Sequence, residues 1–183
     1  MTVLSSFEIL AENLVPKGIL PPTAANPFLL QGYFVQISVA PGAPASSVNF
    51  NLIFQETTDF RQGLGQSALF AQIIDANGNV NLYSQFFAST GRGFLNQTVN
   101  AGQTLIYGVQ VIPPATHKGD VAALPQAGTG WRGTVQVNPN IPGALIATPT
   151  ARLVYYNGNN PLASAALDAV VYPVPTASGR TLI

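Results

Sequence analysis

The densest group of charges in the chain is Glu56-Thr-Thr-Asp59-Phe-Arg61. Two carboxylates this close could hold a calcium ion, or divide the acid and base work of glycoside hydrolysis. The plainer reading is a loop in which Asp59 caps a turn and Arg61 pairs with an acid at the surface, which contributes about 0–1 kcal/mol. A hydrolase gathers acids around its substrate, and this chain has only seven Asp and Glu in 183 residues. His117-Lys-Gly-Asp120 carries the single histidine. An imidazole is the natural general base near neutral pH. No GxSxG nucleophile turn accompanies it, and a lone His has no second imidazole with which to build a multi-His metal site. Its plain reading is a solvent-exposed loop.

Two further motifs dissolve on inspection. Gly63-Leu-Gly65-Gln-Ser-Ala68 spells GxGxxA, but a dinucleotide fingerprint needs a helix to follow it. Here the next stretch, Ala68–Asp75, is patterned as a strand. Asp75-Ala-Asn77-Gly78-Asn79 faintly resembles a calcium loop, yet its glycine falls too early and Phe86 stands where the closing carboxylate belongs. Asn-Gly between two alternating runs is instead the chemistry of a tight hairpin.

The remaining handles are aromatic. Trp131 with Arg132, and the tyrosines Tyr33, Tyr83, Tyr107, Tyr155, Tyr156 and Tyr172, offer ring faces that stack on sugars through the same contact that fills cores. Neighbours on a strand point to opposite faces, so one of Tyr155 and Tyr156 is expected at the surface. The candidate ligand-binding residues are therefore Trp131, Arg132, Tyr155, Tyr156, Glu56, Asp59 and His117. Trp131 competes with a plain role as a core plug. No catalytic residue, metal ligand or cofactor is expected.

These side chains must be positioned by strands. Period-2 alternation runs through Tyr33–Val39, Val48–Phe54, Ala68–Asp75, Val80–Phe87, Phe94–Val99, Thr104–Ile112, Trp131–Val137, Leu145–Tyr156 and Leu167–Val174, with Thr2–Leu10 as a further strand. Gly, Pro and Asn clusters separate them, and no convincing helix or tandem repeat appears. The expectation is an all-β fold: an antiparallel two-sheet β-sandwich of about ten strands, with jelly-roll or Ig-like crossings. Its organisation is expected to be an N-terminal strand and proline-rich arm over residues 1–27, a sandwich over 28–174, and a loose tail over 175–183. An outer-membrane barrel would also alternate, but prolines in or beside several strands argue against it.

Composition narrows the function classes. Charged residues make up 8%, and seven Lys and Arg balance seven acids. That excludes a nucleic-acid binder working through a basic face and a polybasic membrane patch. There is no Cys, hence no disulfide framework and no thiolate chemistry. Asn, Gln, Thr and Ser supply 50 residues instead. Such a surface hydrogen-bonds well and repels itself weakly. The N-terminus shows no basic, apolar signal segment, which favours the cytosol, while the composition resembles that of exported β-proteins. The first expectation is a non-catalytic, self-associating interaction module, a homo-oligomer whose arm or first strand reaches a neighbour. A carbohydrate-binding module is the alternative, with a glycan or protein partner. A virus or phage particle component is another, although an RNA-packaging coat carries a basic arm and this one has only Lys17. An enzyme would work through Glu56, Asp59, His117 and Asp120.

Overall fold

The alternating runs become ten strands: β1 (Thr2–Asn13), β2 (Phe28–Val39), β3 (Ser47–Asp59), β4 (Leu69–Ile74), β5 (Val80–Ser84), β6 (Arg92–Asn100), β7 (Thr104–Val111), β8 (Thr129–Pro139), β9 (Leu145–Tyr156) and β10 (Ala166–Pro173). The computed structural model describes residues 2–15, 18–59, 69–84, 92–111, 129–158 and 165–183. His117, Asp120, Arg61 and the GxGxxA motif lie outside the described residues. Among those described there is no helix, and hence none long and apolar enough to cross a membrane.

Every pairing is antiparallel, and the strands form one connected sheet in the order β5-β4-β7-β2-β1-β8-β3-β6, with β9 on β2 and β10 on β9. The sheet is curled as a half-barrel, where the sequence suggests two stacked sheets. The reason lies in β2. Its twelve residues pair with β9 along one edge. The other edge is shared: residues 28–31 pair with β1 and residues 33–38 with β7. The sheet therefore forks at Gly32. A Cβ there would meet the Gln110 Cβ at 2.9 Å and the Phe34 ring at 3.0 Å, so the branching of β1 from β7 needs a residue without a side chain.

The curl turns one face of the strands inward. Phe7 and Ile9 of β1, Tyr33 and Val35 of β2, Phe50, Leu52 and Phe54 of β3, Tyr107 and Val109 of β7, and Trp131, Val135 and Val137 of β8 meet in one buried core. Rings cross the interior: Phe50 meets Tyr107 edge-on at 5.8 Å and Tyr33 meets Phe54 at 6.0 Å. Strand β3 lies three places from β2 along the sheet, so these contacts hold the curl closed. Fully burying a side chain of this kind contributes about 1.5–3 kcal/mol. The predicted hairpin joins β4 to β5: Gly78 takes φ +83°, and the Asp75 carboxylate accepts from the backbone N–H groups of Asn77 and Asn79, each at 2.9 Å.

Both chain ends are tied into the sheet by backbone hydrogen bonds. β1 is an interior strand, between β2 and β8. The proline-rich stretch after it is the β1–β2 connection. Its neck is closed by the Leu14 N–H on the Pro27 carbonyl at 2.8 Å, and by Asn26, which accepts from the Val15 N–H and donates to the Val15 carbonyl. The tail is not loose. Ile183 exchanges two backbone hydrogen bonds with Leu145, and Ala147 donates to Thr181 at 2.8 Å. The last residues thus extend the β10 side of β9.

Candidate functional site

Where β1 leaves β2, the two strands diverge and leave a cleft of about 530 Å³. The register decides what lines it. On β1 and β8 the inward residues are Phe7, Ile9, Trp131 and Gly133. Their neighbours Ser6, Glu8, Arg132 and Thr134 therefore face outward, and they stand opposite one another in the ladder, Glu8 with Arg132 and Ser6 with Thr134. These four form the polar wall of the cleft. The Arg132 Nε donates to Glu8 Oε1 at 2.5 Å, with both side chains partly in solvent. An ion pair of this exposure contributes about 0–1 kcal/mol to stability.

The second wall comes from β2, β9 and β10. Gln31 is buried at the apex, and its Nε2 donates to the Glu8 carbonyl at 3.0 Å, tying the two strands together. Ala151, Val174 and Pro175 make the cleft apolar on this side, and Tyr172 of β10 stands at its rim, 41% exposed. A small apolar cluster of Leu10, Leu29, Ala151 and Leu153 supports this side. Deeper in, the Tyr33 hydroxyl and Ser5 Oγ share a hydrogen bond of 2.6 Å. Burial pushes the Tyr33 phenol well above the usual tyrosine range, only partly offset by that bond, so it stays neutral.

The strand that carries Tyr172 is unusual. All eight residues of β10 are exposed, including Leu167 at 57% and Val171 at 63%. It pairs with β9 on one side, and among the described residues no strand covers its other edge. A second outward site lies on the far face of β2. The Arg152 guanidinium stacks 3.9 Å over the Phe34 ring, and that ring occupies the space where Gly108 would carry a Cβ. Partial burial pulls the Arg152 pKa down.

The sequence candidates scatter across this frame. Arg132 lines the cleft. Trp131 does not serve as a ligand platform: it turns into the core and is wholly buried, because it shares the inward parity of Val135 and Val137. Tyr155 packs on the small cluster and Tyr156 on the main core, so both are half-buried on opposite faces. Glu56 is half-buried on β3 opposite Gly133, beside a bulge, and Asp59 stands opposite Trp131 in the ladder. His117 lies outside the described residues. Among those described, no three His, Asp or Glu side chains form a group that could hold a metal. Tyr172 is one of the aromatic handles read from the sequence, whereas Glu8 and Gln31 carry no sequence signal of their own. Glu8 and Arg132 are 124 residues apart, and only the β1–β8 register unites them.

No protein-family model matches the chain, and no curated protein matches it. Among solved structures, a collagen-binding domain from a Staphylococcus aureus adhesin aligns over 93% of this chain and 95% of its own, at 8% identity and a TM-score of 0.19, a likeness too slight to carry any argument.

Proposed function

We propose that the chain is a non-catalytic interaction module that self-associates through the edge of β10 that no strand covers among the described residues. The supporting observation is that strand itself. An uncovered edge presents a row of backbone donors and acceptors ready to pair with another chain. Natural edges are blunted by charge, bulges or proline. In Ala166–Pro173 the one charge, Asp168, and a register shift between Ala166 and Asp168 fall at the start and proline at the end, so Ala169–Tyr172 carries none of these devices. Apolar side chains are exposed on both faces, Val171 outward and Tyr172 toward the cleft. Zero formal net charge leaves little long-range repulsion between copies.

Two copies related by a two-fold axis would pair β10 with β10 in antiparallel fashion and continue the sheet across the dimer. In this reading the half-barrel works as a two-layer sandwich. The layer β10-β9-β2-β7-β4-β5 extends into the partner, and β1-β8-β3-β6 covers its inner face. Sedimentation velocity over roughly micromolar to hundred-micromolar concentrations tests the proposal. The native chain is expected to shift from monomer to dimer. Val171→Lys places a charge on the edge and is expected to hold the chain monomeric with an unchanged circular dichroism spectrum. A native chain that stays monomeric throughout, or a Lys variant that associates equally well, contradicts it.

A further inference from the structure

We infer that the cleft at the fork binds a neutral saccharide, a property separate from the pairing of β10 edges. The argument begins with charge economy. The chain spends few ionic groups, with fourteen Lys, Arg, Asp and Glu in all. Two of them, Glu8 and Arg132, meet across β1 and β8 on the wall of this cleft. Stability does not require it, because an exposed pair contributes about 0–1 kcal/mol. The neutral amides and hydroxyls used on most of the surface would serve the fold equally well.

What the pair supplies is a strong acceptor beside a strong donor. A sugar hydroxyl is both at once, and two adjacent hydroxyls can address the Glu8 carboxylate and the Arg132 guanidinium together, through charge-assisted bonds. The hydroxyls of Ser6, Thr57 and Thr134 line the same wall. The Gln31 Nε2 is engaged by the Glu8 carbonyl, which leaves its Oε1 as an acceptor at the apex. Across the cleft the Tyr172 ring, partly exposed, and the apolar surface of Val174 and Pro175 suit the C–H face of a pyranose. A volume of about 530 Å³ lies in the range of small-ligand sites. Glu8 and Arg132 carry opposite charges side by side, so neither stands on this wall as an isolated charge. That suits an uncharged, hydroxyl-rich ligand better than a phosphate or a nucleotide.

The test is a panel of neutral oligosaccharides, covering α- and β-linked glucans, galactans and mannans, with sialylated and sulfated glycans as charged controls. Titration calorimetry on the full chain follows any retained neutral glycan. The native protein is expected to bind at least one neutral member. Tyr172→Ala, Arg132→Ala and Glu8→Gln are each expected to weaken that binding about tenfold or more. Because Glu8→Gln preserves volume, it keeps the proposal open to refutation if either alanine variant misfolds. Nuclear magnetic resonance of the native chain adds a reading free of mutation, with shifts expected at Tyr172 and Arg132. Absence of neutral-glycan binding across the panel, binding confined to charged glycans, or binding unaltered in the variants overturns the inference. Val171→Lys is expected to abolish pairing and spare sugar binding, so failure here is distinguishable from failure of the self-association reading.

Discussion

At the scale of single residues, two positions carry tests of the packing. Gly133 lies under the Phe7 ring and beside β3. A Cβ there would stand 2.1 Å from the Gln55 carbonyl oxygen and 2.6 Å from Phe7. The ring has some freedom to move, but the backbone of a paired strand has little. Gly133→Ala is expected to lower unfolding stability by about 3 kcal/mol or more, measured by urea denaturation; a loss under about 1 kcal/mol would show that β3 and β8 are not held as described. Tyr33 provides a pH test. Its folded pKa is raised, chiefly by burial, whereas an unfolded tyrosine ionises near pH ~10. Above that pH the unfolded chain releases a proton that the folded chain retains. Stability is therefore unaffected by this group below about pH 10 and falls as pH rises beyond it, by at most about 1.4 kcal/mol per unit. Tyr33→Phe is expected to cost about 1 kcal/mol at pH ~8, since Ser5 loses its partner, yet to lose less stability than the native chain between pH ~8 and ~11. Equal losses in the two proteins would contradict the buried, neutral Tyr33.

At the scale of elements, much of the fold was legible in the sequence and the candidate site was not. Alternation in Val48–Phe54 and Leu145–Tyr156 marks strands with one buried face; β9 has that form, and β3 has it except at Ile53, which is buried on the opposite parity. Asn77-Gly78 marks the β4–β5 hairpin because its chemistry is local. The fork is not local. Nothing in Phe28–Val39 says that one edge of β2 serves two strands, and without the fork there is no cleft. Parity also misleads when read alone. Trp131 and Arg132 look like one ligand patch, but adjacent strand residues face opposite ways, so one fills the core and the other the cleft. The tail gave no signal either, because its bonds to β9 are made by backbone groups of Thr181 and Ile183. β10 reads as an ordinary apolar strand, and only the structure reveals that all eight of its residues are exposed.

At the scale of the whole molecule, the proposed self-association requires that this neutral, curled sheet end in an edge that a second copy can cover. The interior position of β1 has a practical consequence. Removing residues 1–27 takes out a core strand, so truncation reports on folding, not on assembly. The lack of native cysteine allows a direct alternative: one cysteine at a time along β10, at Leu167, Ala169 and Val171, each carrying a spin label, with the distance between copies read by double electron–electron resonance. An antiparallel β10–β10 pair about a two-fold axis predicts an offset along the strands that changes by about 7 Å for each residue moved, so the separations pass through a minimum at the axis and lengthen away from it. Absence of dipolar coupling between copies at every position, or separations that do not vary along β10, would contradict the account.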